Sequence, residues 1–360
     1  MKEQIVVVGG YGHVGQTVCR ELAALFPGQV YAAGRSLERA EQFSRETGGV
    51  VKPMRLDIHG TPEPSALADI RLLVMCVDQT DTVFVRACLS QGIDYLDITA
   101  DDRFLSRAEG LHRDAEQGGA TAVLSIGLAP GLTNLLAAYA SRLLDRTDTI
   151  DISIMLGLGD QHGKAALEWT VDNLSTTYAV VEHGSNRRVS SFTDGRRTDF
   201  GASLGRRTAY RFNFADQHAL ARTLGAPSVA TRLCFDSAAI TGLVAGMRAS
   251  GVSRLLRLRP VRDAAVRLLG HVKLGSAGFA LKIDTAGEKD GRRLTVECFL
   301  QGEREAELTG RVAVVIAEAI YRSRQRHGIY HVEQLFQWNP VVSALGQAVT
   351  WSYRVNDGPE

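Results

Sequence analysis

The first part of the chain sets short apolar runs between stretches of helical periodicity. Ile5 to Val8 is an uninterrupted apolar run and predicts a buried strand. Val14, Val18, Leu22 and Leu25 then recur at spacings of four, four and three, one face of a helix that Pro27-Gly28 stops. Val30 to Ala33 reads as a second strand. Ser36 stands where it can cap a helix running to Thr47, with Gly48-Gly49 as the stop. Strands follow over Val50 to Leu56 and Leu72 to Val77, then a helix over Thr80 to Gln91 ended by Gly92. A strand over Tyr95 to Ile98, a helix over Asp102 to Gln117 and a strand over Ala122 to Ser125 complete the series. Alternation at this spacing predicts a parallel sheet with helices on both faces.

The rhythm changes after about residue 150. Ile152 to Leu158, Thr208 to Phe214, Phe279 to Ile283 and Leu294 to Gln301 look like strands of an antiparallel or mixed sheet. The turn Gly287-Glu288-Lys289-Asp290-Gly291 suits a hairpin between the last two. Helical patterns cover Ala165 to Glu182, Ala238 to Leu274 and Glu305 to Arg324. The fold class read from this is α/β, with a doubly wound parallel domain over 1–130 and an α+β substrate domain over 131–304.

Between the first strand and the first helix lies VVVGGYGHVGQTV, which contains Gly10-x-Gly12-x-x-Gly15. A strand before it and an amphipathic helix after it are the context of a Rossmann dinucleotide loop. The first glycine allows the tight turn, the second lets the backbone approach a pyrophosphate, and the third lets helix and strand pack closely. The loop residues Gly10, Tyr11, Gly12, His13, Val14 and Gly15 are therefore candidate cofactor contacts, with the helix amides facing the phosphates. At the end of the second strand, where an NAD site carries an acid for the ribose 2′-hydroxyl, the chain reads Gly34-Arg35-Ser36. Glycine leaves room and a guanidinium can grip a 2′-phosphate in two places, so the expected cofactor is NADP(H). Ser36 and Arg39 can add to that grip, and Asp57, after the third strand, is placed toward the adenine.

Ligands of open parallel sheets lie beyond the carboxyl ends of the strands. Asp78 and Gln79 follow one such end. Gly127-Leu128-Ala129-Pro130-Gly131-Leu132-Thr133-Asn134 follows another. Pro130 and Gly131 are expected to open a long helix there, with Asn134 in its first turn, meeting the carboxamide or the substrate, or simply capping the helix.

The bulk properties narrow the partners. A formal net charge of +1 over 360 residues gives no basic surplus for a nucleic acid. No window reaches the roughly 18 apolar residues of a membrane span. The apolar run after MKEQ is too short for a signal sequence and enters the glycines directly, which makes a cytoplasmic protein the expectation. The five cysteines show no CxxC pairing and read as reduced thiols. His327 and His331 are separated by Gly328, so no metal site is expected.

GGYGHVG, AGRS, GIDYLDIT (Gly92 to Thr99), GLAPGLTN (Gly127 to Asn134) and GIYHVEQLF (Gly328 to Phe336) together resemble the saccharopine dehydrogenase-like reductases. The resemblance implies a Rossmann domain, a mixed-sheet domain that carries substrate and dimer contacts, and helices in 305–360 that return to the first domain. It also implies a homodimer. Better-known members join an amine to a carbonyl compound and reduce the imine with NADPH, or run the reverse oxidation. Saccharopine-forming members carry an acid before the Pro-Gly, where this chain has Ala129, and they are longer, which argues against saccharopine itself.

Hydride transfer asks the protein for placement and a proton donor. Asp97, with Thr99, ends a strand that should face the nicotinamide. His162 and His218 lie in polar clusters of the second domain and have a ring suited to proton exchange. From Met247 to Lys273 the chain carries seven cationic side chains and the single acid Asp263. This reads as a helical cover with a solvated cationic face rather than as a membrane surface. The leading function is an NADP(H)-dependent oxidoreductase acting on a C–N bond of a small-molecule substrate. The alternatives are a C=C or C=O reductase on a larger apolar substrate, and a non-catalytic NADP(H) sensor.

Overall fold

A computed structural model of the chain describes residues 2–160, 163–271 and 275–357. Its strands are β1 (Gln4–Val8), β2 (Val30–Gly34), β3 (Lys52–Arg55), β4 (Ile70–Met75), β5 (Asp94–Asp97), β6 (Thr121–Leu124), β7 (Arg146–Leu156) and β8 (Thr177–Glu182). They continue with β9 (Ser185–Ser190), β10 (Arg196–Asp199), β11 (Arg206–Arg211), β12 (Ser228–Phe235), β13 (Gly278–Lys289), β14 (Arg292–Glu303), β15 (Gly328–His331) and β16 (Val349–Asp357).

The chain divides into two units, Met1–Leu132 with Ala306–Leu345, and Thr133–Glu305 with Gly346–Glu360. In the first, seven strands run parallel in the order β15-β6-β5-β4-β1-β2-β3. Ile5, Val6, Val7, Leu72, Leu73 and Val74 are fully buried on successive positions. Covered on both faces, such strands read as continuous apolar runs instead of alternating ones. Strand progression reverses between β1 and β4, so the ligand crevice of a doubly wound sheet lies at their carboxyl ends. Helix Glu305–Arg322 runs close to helix His13–Leu25, where a Cβ on Gly310 would stand 2.9 Å from Thr17.

The second unit holds a seven-stranded mixed sheet, β10-β11-β12-β7-β13-β14-β16, in which only β12 and β7 pair in parallel. Helix Thr133–Ser141 packs on it, with the Tyr139 ring edge-on to Trp351 and Tyr353 at 5.5 and 5.4 Å. β13 and β14 close through Asp290 and Gly291, both at positive φ, the backbone of a tight two-residue hairpin.

Several expected elements differ. The helix over Ala165 to Glu182 ends at Asn173, and the remainder is β8, because Thr177, Tyr178, Val180 and Val181 favour a pleated surface. The helix over Ala238 to Leu274 is broken. Helix Ala238–Ala249 stops before Gly251, at φ 79°, and helix Arg259–His271 starts after extended Leu258. The helix over Asp102 to Gln117 is two, Asp102–Glu109 and His112–Gly118. Pro130 and Gly131 do not open a helix: Gly131 sits at φ 143°, and the helix begins at Thr133 and ends at Ser141. The last stretch of the expected 305–360 return is strand β16 of the second sheet, where Val349, Trp351, Tyr353 and Val355 alternate with polar residues.

Candidate active site

The glycine loop turns on three backbone bonds. Gly9 N–H donates to Ala33 O at 2.8 Å, Gly10 N–H to Val7 O at 3.1 Å, and Gly12 N–H to Gly9 O at 2.8 Å. A Cβ on Gly10 would stand 2.8 Å from Ala32 Cα, and one on Gly15 would stand 2.2 Å from Gly9 O. Both positions therefore require glycine for packing. Gly12 differs: its Cβ would meet Gly9 O alone, at 3.0 Å, so its outer side is open. Gly12 also caps helix His13–Leu25 without a side-chain bond, and the first turn carries no acid. An anion at this N-terminus meets aligned amides and no competing carboxylate. His13 is exposed and Val14 half-buried at the mouth of the helix. The loop has the shape and the donors that a dinucleotide pyrophosphate requires.

At the end of β2 the structure adds a side chain to the sequence argument. A Cβ on Gly34 would lie 2.2 Å from the Tyr11 hydroxyl and 2.7 Å from its ring. Tyr11 thus fills the place where an NAD-type acid would stand. Its hydroxyl accepts a long bond from Ser36 N–H at 3.4 Å, and the Arg39 guanidinium lies over its ring at 4.8 Å. Ser36 Oγ accepts from Arg39 N–H at 3.3 Å and caps helix Leu37–Glu46. Arg35 is exposed beside this cluster. Asp57 is exposed past β3 and closes its own turn by accepting from His59 N–H at 3.0 Å.

Beyond β4 and β5 the side chains meet. Tyr95 OH donates to Asp97 Oδ2 at 2.5 Å, Gln79 Nε2 donates to the same oxygen at 3.1 Å, and Thr99 N–H donates to Oδ1 at 2.7 Å. Gln79 Nε2 also reaches Tyr95 OH at 2.6 Å. Asp97 and Tyr95 are fully buried. Burial pushes the Asp97 carboxyl up to about 6, against the opposing pull of the Tyr95 and Thr99 hydrogen bonds. Tyr95 is raised well above an ordinary phenol by burial and by the Asp97 charge. Both Asp97 oxygens are engaged, so the carboxylate orients Gln79 and the turn at Thr99. Asp78 is exposed next to this group.

A second buried chain was not read from the sequence. Ser125, at φ 59° just past β6, lies with Oγ 2.7 Å from His331 Nδ1, and His331 Nε2 is 2.9 Å from Glu109 Oε1. An ionised carboxylate only accepts, so Nε2 carries a proton, and in the uncharged ring Nδ1 accepts the Ser125 hydroxyl. His331 N–H donates to Gln334 Oε1 at 2.9 Å in a capping box on the short helix Val332–Leu335. The order hydroxyl, imidazole, acid is that of a nucleophilic triad. With Ser125 fully buried, it serves here to hold the carboxyl end of β6. The loop that follows contains Pro130 and Gly131, and Leu128 N–H donates to Thr309 Oγ1 at 3.3 Å. The only trace of this chain in the sequence was that Ser125 and His331 each close an apolar run.

Within the second unit, Asn134 is fully buried in the first turn of its helix, where Thr133 Oγ1 reaches its Oδ1 at 3.5 Å. His218 lies on helix Asp216–Thr223, its Nε2 2.9 Å from Asn213 Oδ1, and Asn213 Nδ2 donates to Asn173 Oδ1 at 3.3 Å. His162 lies outside the described residues.

Residues 5–123 match the family model described as the saccharopine dehydrogenase NADP binding domain. Over 148 residues, the chain is 29% identical to carboxyaminopropylagmatine dehydrogenase of Synechocystis, covering 38% of this chain and 37% of that protein. Over 95 residues, it is 35% identical to carboxynorspermidine synthase of Vibrio cholerae, covering 23% of this chain and 22% of that one. The chain thus spans between about a fifth and little more than a third of these curated relatives. Apo saccharopine dehydrogenase (L-Glu forming) from Saccharomyces cerevisiae superposes at a TM-score of 0.68 over 98% of this chain and 100% of that one, at 14% identity, a likeness of fold.

Proposed function

We propose, from the match of residues 5–123 to the saccharopine dehydrogenase NADP binding domain, an NADP(H)-dependent oxidoreductase that reduces, or in reverse oxidises, a C–N bond between an amino compound and an oxo acid or aldehyde. The observation that carries the cofactor choice is Tyr11 lying over Gly34 with Arg35 exposed beside it. The substrate class is supported by the two relatives, whose names describe carboxylated polyamine compounds.

NADP(H) bound here supplies or accepts a hydride. The amides of the helix's first turn, His13 to Gly15, would hold the pyrophosphate and Arg35 the 2′-phosphate. Gln79, aimed by Asp97 and Tyr95, lies beyond β4 with Asp78, and both would serve the nicotinamide half. Pro130 and Gly131 shape the loop after β6, and Asn134 is the residue proposed to meet the carboxamide or the substrate. Asp97 acts as a positioning anion, and His162 or His218 exchanges protons with the substrate. The protein works as a homodimer.

The test is NADPH oxidation, followed by absorbance, against amines paired with oxo acids or aldehydes, each also tried alone. Turnover only with both partners present supports imine reduction. Turnover with a single carbonyl or unsaturated compound replaces it with the reductase reading. Tight NADPH binding without turnover across the grid leaves the sensor.

A further inference from the structure

The segment from Ala238 to Leu268 carries apolar surface that the fold does not cover. Helix Ala238–Ala249 is apolar over nearly its whole length, yet Thr241 is its one buried residue. Gly242 and Gly246 face open space, and Leu243 between them is 63% exposed. The turn Val252–Arg257 and helix Arg259–His271 continue the pattern: Leu255 is 50% exposed, Leu258 56% and Leu268 67%. The second helix buries Val266 and packs along helix Lys164–Asn173. Its opposite side shows a second apolar stripe of Val261, Ala264 and Leu268, spaced three and four apart.

Arginines interleave with these residues. Six lie between Ala238 and Leu268, against the single acid Asp263. Arg262 turns inward, its guanidinium on Asp172 at 2.5 and 2.8 Å. Arg254, Arg257, Arg259 and Arg267 are exposed among the leucines. A helical cover with a solvated cationic face, expected from the sequence, accounts for the arginines but not for leucines standing in water beside them.

We propose that this surface docks on an anionic lipid bilayer, the leucines entering the acyl boundary and the arginines engaging headgroup phosphates. No helix among the described residues is long and apolar enough to cross a membrane, and the attachment lies in the plane of the interface. A second copy of the chain suits the patch less well. A two-fold contact sets the same patch against itself, and here it would bring arginines together with almost no acid to meet them. The cores of such interfaces are also depleted in charge.

The experiment is co-sedimentation of the full chain with phosphatidylcholine vesicles, with and without phosphatidylglycerol, at low and high salt. Binding is expected on the anionic vesicles, lost at high salt and weak on phosphatidylcholine alone. Each arginine near the surface contributes about fivefold to partitioning, so R254Q/R257Q/R259Q together lower it roughly hundredfold. L243Q/L255Q/L268Q also release the protein, and the far-UV circular dichroism spectrum and melting temperature stay unchanged in both variants, which shows that they fold. No binding to anionic vesicles at low salt overturns the proposal, as does binding that ignores both lipid charge and the arginines. A concentration-dependent dimer that the leucine variant dissolves, with no vesicle binding, reassigns the patch to contact between copies and equally overturns it.

Discussion

Replacing Arg35 with Ala tests the cofactor assignment most directly. Arg35 is exposed at the end of β2, next to a Gly34 that Tyr11 covers to within 2.2 Å of any added Cβ. A charge-assisted hydrogen bond contributes about 1.5–3 kcal/mol, and each 1.36 kcal/mol is a factor of ten. The expected loss in NADPH affinity is therefore roughly 10- to 150-fold, toward the lower end because solvent and salt screen an exposed guanidinium. NADH lacks the 2′-phosphate and should bind as before. Titration by NADPH and NADH fluorescence at fixed low salt reads both constants, and the NADPH effect should shrink as salt rises. The companion variant Gly34→Asp should not create an NADH preference by itself, because its side chain collides with Tyr11. Equal losses for the two cofactors in Arg35→Ala would refute the 2′-phosphate role. A gain for NADH in Gly34→Asp alone would refute the steric argument.

Other consequences separate binding from folding. Gly12→Val should abolish binding of both dinucleotides with little change in melting temperature, since its Cβ meets one atom at 3.0 Å; retained affinity would move the pyrophosphate elsewhere. Gly15→Val should instead unfold the first unit, because Gly9 O stands 2.2 Å from the new Cβ, and thermal denaturation reads this. Asp97 is raised to about 6 in the fold, above its unfolded value near 3.9, so the native state holds the proton more tightly. Its contribution is full below about pH 4 and about 3 kcal/mol of it is lost as pH rises through 6; unfolding curves of wild type and Asp97→Asn that stay parallel from pH 4 to 7 would contradict this. His331→Ala should weaken turnover more than cofactor affinity by releasing the carboxyl end of β6, with Ser125→Ala a milder version; unchanged kinetics in both would make that chain purely structural.

The inner strands of the parallel half were legible because they are buried on both faces, so they appear as apolar runs, and because glycines punctuate the turns; the edge strand β15 went unread. The second half was harder. β10 and β12 went unread because Arg196, Arg197 and Arg232 look like surface in a sequence. In the structure Arg232 is buried and answered by Asp151 at 2.5 Å and Asp194 at 3.1 Å. Such pairings join residues far apart in sequence, and no local period reports them. β8 was read as helix because apolar spacing over so few residues does not separate the two periods. At the site, residues within one loop were found, whereas Glu109, Ser125 and His331 came from three elements. Tyr11 was picked as a loop contact, but its part in excluding an acid at position 34 needed the fold.

The two described candidates for proton donor bear on the reaction itself. Asp97 is fully buried with both oxygens accepting hydrogen bonds, and His218 holds Asn213 through Nε2. Reducing a ketone or aldehyde turns its oxygen into an alkoxide as the hydride arrives, and that oxygen needs a proton from a nearby acid. A protonated imine brings its own proton. Hydride addition at its carbon leaves a neutral amine, and no donor has to be near. An ionised Asp97 in a dry interior would also favour a cation over an anion in its surroundings. Groups committed to holding Gln79 and Asn213 in place are therefore less of a handicap for C–N reduction than for carbonyl reduction. The same reasoning predicts that Asp97→Asn, if it folds, keeps more of its imine turnover at low pH, where the substrate is protonated, than at high pH. Loss of activity by the same factor at every pH would mean that Asp97 acts on geometry alone.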